Sequence, residues 1–254
     1  MRTMIHQAPT ASLIYSTLFA STDLPLEDQF DAWRERMSVV FNVEPVEPSL
    51  EEGFVAEAQA FHLGDLILAR TRFEAQRFVR TEEQVRSDKL DHYLVQFYNE
   101  GGYVGELDGR PIEIKAGTVS ILDLTRTTIT RASSAECVSL VVPRDVMHDL
   151  LPRAVNLHGA VLDAGNGRLL SSYLVSLLRQ LPTTEQSQAP HIARATCSLL
   201  AACLLPTVNR LSAKSDHAST TPAPIPERTH LKRSDVAPQS VHAMFDDWIR
   251  SLRS

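Results

Sequence analysis

The stretch from Asp88 to Arg126, DKLDHYLVQFYNEGGYVGELDGRPIEIKAGTVSILDLTR, constrains the fold of this chain more than any other. Apolar residues alternate along it in short runs. Each run ends at a glycine-bearing turn: Gly101-Gly102, Asp108-Gly109 and Ala116-Gly117. A tight hairpin needs residues that accept positive φ, so Asp-Gly between two alternating runs predicts paired antiparallel strands. Leu90–Tyr98, Gly102–Leu107, Arg110–Ile114 and Thr118–Leu122 are therefore expected to form a meander. Phe54–Phe61, Leu66–Phe73 and a short Phe78–Thr81 precede it, and Thr127–Ala132 and Glu136–Val142 follow it. That many strands with short links can close a small antiparallel barrel or jelly roll.

Helical patterns flank the strands, which makes the fold class α+β. Leu24 to Phe41 reads as a helix, with Pro25 suited to its first turn and Glu27 and Asp28 to the positive end of its dipole. Leu26, Phe30, Trp33, Met37 and Phe41 recur at helical spacing and should face a core. Asn42–Gly53 contains two prolines and reads as loop, and Glu82–Lys89 reads as a charged surface segment. Past Pro143, Arg144–Leu151 is a short helix. Leu169, Leu170, Tyr173, Leu174, Leu177, Leu178 and Leu181 then form a ridge that Pro182 stops. A last helix spans about Pro190 to Leu211. Its middle, SLLAACLLP, is apolar nearly all round and should be buried on more than one side. An interior helix and a subunit interface through Ile192, Ala195, Leu199, Leu200 and Cys203 explain this equally well. The expected organisation is an arm over 1–23, a helix plus barrel over 24–142, a helical segment over 143–211, and a flexible tail over 212–254. The tail is rich in Ser, Thr, Pro and Ala, with one short amphipathic helix at Ser240–Leu252.

Composition excludes some functions. Of 254 residues, 43% are hydrophobic and 22% charged, as in soluble globular domains. A net charge of −6 argues against a broad face that neutralises phosphates. The apolar run Cys197–Val208 is too short to span a bilayer, so no membrane partner is expected. The N-terminus makes a poor signal peptide. Three cysteines without ligand spacing suit a reduced, cytoplasmic protein.

A small barrel of this kind prompts a test for the metal-binding cupin motifs. The first sets two histidines one residue apart, but His92 has Leu94 in the partner position. The second keeps its glycine spacing at Gly109 and Gly117, yet Lys115 replaces its proline and Ser120 its histidine. A divalent ion needs three or four placed ligands, so the barrel reads as free of metal and cofactor. There is no G-x-S-x-G elbow, P-loop or G-x-G-x-x-G, and Cys137 reads as a core thiol, so no catalytic residue is assigned. Binding is the remaining chemistry. On Leu90–Tyr98 the even positions share one face and the more apolar odd positions the other. If the even face lines a cavity, His92, Gln96 and Tyr98 are the candidate contacts. Arg70 and Arg72 share a face of their own strand and could hold an anionic group. Asp123 and Arg126 read as a local ion pair.

The run LDHYLVQFYNEGG, then GRPIEIKAGTVSILDLTR and SLVVPRDVM, resembles the N-terminal ligand-binding domain of AraC/XylS-type transcriptional regulators. The resemblance extends back through FDAWRERM and LGDLILARTRF, and forward through LHGAVLD and ATCSLLAACL, covering roughly residues 25–210. It implies a metal-free cupin-like barrel that binds a small-molecule effector, followed by helices that dimerise it. It also implies an attached DNA-binding domain with two helix-turn-helix units. The I-A-x-x-x-G-F and F-x-R-x-F hallmarks of that domain are not found here. The expectation is therefore a non-enzymatic sensing and dimerisation module, truncated before its DNA-binding domain and not binding DNA directly. It would act as a homodimer or as a mixed dimer with a full-length regulator. The alternatives are a metal-free cupin-type enzyme and a stand-alone small-molecule-binding protein.

Overall fold

Strand pairing begins earlier in the chain than the alternation suggests. A computed structural model describes residues 12–46, 52–152 and 155–218, excepting the side chains of 214–218. In chain order the strands are β1 (Ser16–Ala20), β2 (Asn42–Pro45), β3 (Ala56–Leu63), β4 (Leu66–Phe73), β5 (Gln76–Arg80) and β6 (His92–Glu100). They continue as β7 (Gly102–Leu107), β8 (Arg110–Lys115), β9 (Val119–Asp123), β10 (Thr128–Ala132), β11 (Ala135–Pro143) and β12 (Ala160–Val161). The helices are α1 (Leu26–Met37), α2 (Glu82–Asp88), α3 (Arg144–Leu150), α4 (Ala164–Gln180) and α5 (Ala189–Ala218). A seven-stranded sheet runs β1-β3-β4-β11-β6-β9-β12 and a five-stranded one β2-β5-β10-β7-β8.

The molecule has three layers: helices, the seven-stranded sheet and the five-stranded sheet. One core lies between α3–α5 and the outer face of the larger sheet, built on Leu66, Leu68, Tyr93, Val95, Ile121 and Leu140. The other lies between the two sheets, with Trp33, Phe73, Phe78, Leu94 and Leu122. The larger sheet is thus covered on both faces, and β9 is buried at every position. The outer face of the smaller sheet meets solvent, and β10 alternates buried and exposed accordingly. The Asp108-Gly109 hairpin adopts φ of 49° and 70°, and Leu107 pairs with Arg110 across it. At Gly101 (φ 75°) a Cβ would come within 2.4 Å of the Ser134 carbonyl oxygen.

Several expectations are corrected. Part of the 1–23 arm is strand β1, whose residues pair with Glu57–Phe61 of β3. Part of the Asn42–Gly53 loop is β2, where Pro45 ends an edge strand that needs its donors on one side only. Glu82–Lys89 contains helix α2, capped by the Thr81 hydroxyl, which accepts from the Gln84 amide. In α1, Phe30 and Trp33 are buried as expected, but Leu26 is exposed and Phe41 packs from beyond the helix end. Leu169 of the α4 ridge is exposed, while Leu170, Leu174 and Leu181 are buried. Helix α5 continues past Leu211 into the expected tail. Residues 1–11 of the arm, residues 219–254 of the tail and the expected Ser240–Leu252 helix lie outside the described residues.

Gln186–Ala213 is long and apolar enough by composition to cross a membrane. Its inward face nevertheless belongs to the helix-side core through Cys197, Leu200, Cys203, Leu204 and Val208.

Candidate functional site

The alternation of the larger sheet decides where space is left between the sheets. The inner face of β3 carries Ala56, Ala58 and Ala60, and Ala69 of β4 sits opposite Ala60. Alanines cannot fill the gap between two packed sheets. The result is a cavity of about 110 Å³. Its sheet wall consists of registered rows. One row runs Ala58, Thr71, Cys137, Tyr98. The next runs Ala60, Ala69, Ser139, Gln96, and continues beyond the lining to Ser120. The third ends Ile67, Val141, Leu94, Leu122. Phe78, Tyr103 and Thr130 line it from the smaller sheet, and Arg36, Met37, Val40 and Phe41 from α1 and the turn after it.

Most of the polar lining is neutral. The Gln96 amide nitrogen lies 4.0 Å from the Cys137 sulfur, and that sulfur is 3.5 Å from the Ser139 hydroxyl. The Tyr103 hydroxyl lies 3.3 Å from that of Ser120. Burial pushes the Cys137 thiol and the Tyr103 phenol up to about 12, and the Tyr98 phenol well above its ordinary value. All three therefore stay protonated at neutral pH. Arg36 is the charged member of the lining; burial lowers it to about 10, still a cation at neutral pH. It donates to the Thr17 hydroxyl at 3.0 Å and lies 5.3 Å from the centre of the Phe19 ring, tying α1 to β1.

The cavity collects some of the candidate contacts. Gln96 and Tyr98 line it. His92, at the start of β6, is buried outside the lining. Arg70 and Arg72 are placed elsewhere: Ile67, Ala69, Thr71 and Phe73 of β4 face the cavity, so the even positions turn away. Arg70 is exposed and pairs with Glu136 at 2.5 Å, which holds that carboxyl below its usual range. Sequence reading missed Ala58, Ala60, Ala69, Thr71, Ser139 and Arg36. The signal was present in FVAEAQAF, where small residues occupy alternate positions otherwise taken by bulky ones.

A second polar cluster lies outside the cavity and is fully engaged in holding α3 to the sheet. Arg144 donates to Asp91, Asp123 and the Tyr93 hydroxyl, and sits 4.5 Å from the Tyr93 ring centre. Asp123 is thus paired with Arg144, whereas Arg126 pairs with Asp108 at 2.9 Å, which corrects the expected Asp123–Arg126 pair. Burial pushes Asp123 up, but hydrogen bonds from Thr125 and Arg144 outweigh it and hold the carboxyl below its usual range. His158 accepts the Asp123 amide at Nδ1, so its proton sits on Nε2, facing the Thr127 carbonyl at 3.1 Å. Among the described residues, no three His, Cys, Asp or Glu side chains are grouped to hold a metal ion.

The interface candidates divide by burial. Leu200 and Cys203 are fully buried in this chain's own core, Ile192 and Leu199 half-buried against it, and Ala195 exposed. Leu200 and Cys203 are therefore corrected from interface to core: they face the larger sheet.

Two antiparallel sheets enclosing a cavity of this size, backed by a helical layer, define a cupin-like jelly roll. Within that class the chain belongs to the AraC-binding-like domain family, which matches residues 33–205. The AraC-like transcriptional activator CuxR has a similar crystal structure. It shows a TM-score of 0.66 over 94% of this chain and 79% of that one, at 23% identity. The transcriptional activator NphR of Rhodococcus sp is 27% identical over 176 residues, 67% of this chain and 52% of that protein. The chain thus spans about half the length of NphR. An uncharacterized protein in the nit 5' region of Bacillus sp. (strain OxB-1) is 21% identical over 235 residues, 89% of this chain and 90% of that protein.

Proposed function

We propose that this chain is the effector-sensing and dimerisation part of an AraC-type transcriptional regulator. The alanine-lined cavity between the two sheets of a chain of the AraC-binding-like domain family carries this reading. Two similar proteins are named as transcriptional activators, which supports the setting. A ligand in the cavity touches both the sheet wall and the end of α1. Two arrangements of α1 that bind it unequally would be shifted in population by occupancy. Arg36 links that helix to β1, so the shift would be felt at the sheet edge. DNA reading is assigned to a separate element, because a net charge of −6 argues against a broad face that neutralises phosphates. The lining favours binding over catalysis: its thiol is held protonated, and no Asp, Glu, His or Lys stands among the described lining residues to serve its hydroxyls as a base.

Dimerisation is assigned to the outward face of α5, in a homodimer or a mixed dimer with a longer relative. Ala195, Ser198, Ala202, Leu205 and Asn209 are exposed there at heptad spacing, and the small side chains permit close helix approach. With its opposite face in the core, α5 serves as a helix of a cytoplasmic domain and not as a membrane span.

The test is a reporter driven by DNA upstream of the protein's own gene, in cells with and without the chain. A small-molecule response that requires the chain and disappears in Ala60→Phe is the expected result. A response unchanged by filling the cavity would overturn the reading.

A further inference from the structure

We propose that the cavity takes an uncharged, single-ring molecule bearing one hydrogen-bonding substituent. The substituent meets the Thr71–Gln96–Ser139 band, and the ring lies on the aliphatic row beside it. This rests on the sensing reading above and adds the chemical class of the ligand.

Size sets the first limit. The cavity holds about 110 Å³, less than the about 150 Å³ of an apolar protein cavity that accepts benzene. One ring is therefore the most it can take, and a disaccharide or a fused-ring system is excluded.

Polarity sets the second. Thr71, Gln96 and Ser139 come from three neighbouring strands, with Ser139 paired to Gln96 and Thr71 to Cys137 one row away. They form a compact band of neutral donors and acceptors. The next row, Ile67, Val141, Leu94 and Leu122, has nothing to offer a hydroxyl. On the facing wall the Tyr103 hydroxyl is turned to Ser120 and Thr130 adds one more hydroxyl, so a sugar would still leave most of its hydroxyls unpaired against the aliphatic row and the Phe73 and Phe78 rings. A molecule with one polar end matches the division.

Charge sets the third. A buried anion needs a dedicated counter-ion. Arg36 lies on the helix wall instead of the polar band, and it already bonds Thr17 and faces the Phe19 ring. The band contains no cation to meet a carboxylate, and the described lining has no acid to meet an amine.

The test is calorimetry on the full chain with benzyl alcohol, benzoate, toluene and glucose. Benzyl alcohol should bind about ten-fold tighter than benzoate, and glucose should not bind. Gln96→Leu should weaken benzyl alcohol about five-fold and leave toluene unchanged. Ala60→Phe should abolish binding of both rings. If that variant fails to fold, Ala69→Leu makes the same test with a smaller intrusion. Benzoate binding as tightly as benzyl alcohol, glucose binding, ring binding indifferent to Ala69→Leu, or no ring binding at all would each overturn the ligand class. A reporter that still answers some molecule through the cavity would then leave the sensing reading standing. Ring binding with a silent reporter would overturn sensing and keep the ligand class.

Discussion

Arg80 and Asp88 show how much a single pair can hold in this protein. The Arg80 side chain is fully buried, makes two bonds to the Asp88 carboxylate at 2.7 and 2.9 Å, and donates to the carbonyls of Val40 and Leu124. Asp88→Ala leaves that guanidinium without its counter-charge and should cost about 3 kcal/mol of stability, read from urea unfolding. The pair was illegible in the sequence: Asp88 sits in a run of charges that resembles any solvated segment, and its partner is on a different element. His158 should impose a pH dependence. Burial lowers its folded value below the ordinary 6.5. The stability it contributes is therefore complete above the unfolded value and is lost as the pH falls through the folded one. Stability should begin to drop as the pH falls through about 6.5, and His158→Asn should flatten that slope. An unchanged slope in the variant would remove His158 as its source.

At the scale of elements, the turns were legible and the edges were not. Asp108-Gly109 announces its hairpin because few residues tolerate that backbone. β1 and β2 are short outermost strands with one neighbour each, too brief to show alternation, and β2 ends in a proline. Helix α5 was legible as apolar but not as one-sided, because alanine serves a core and an exposed face alike. That distinction decides which substitution can report on association. Leu200→Asp would place a charge in the core and unfold the domain. Leu205, 42% exposed, can be changed without that penalty. Leu205→Glu should leave the unfolding free energy of the domain within about 0.5 kcal/mol of the parent and shift the sedimentation coefficient to that of a monomer. A folded variant of unchanged mass would move the interface elsewhere.

For the whole molecule, three layers follow from which strands alternate and which are apolar throughout. The apolar Glu136–Val142 run was legible as a strand, but its central place was not, since its neighbours β4 and β6 are set by tertiary pairing. The cavity was illegible for a related reason: it is a deficit of volume, made jointly by alanines on β3 and β4 against rings from another sheet. A chain ending before Ala135 should show no cooperative unfolding transition, by circular dichroism against temperature, because the two halves of the larger sheet meet only through β11. That position has a consequence for biosynthesis. Until β11 emerges from the ribosome, β4 and β6 each present an unpaired edge, and hairpins made early must wait for a strand made late. The nascent chain is therefore most exposed to chaperone capture or misassembly just before the last strand of that junction appears.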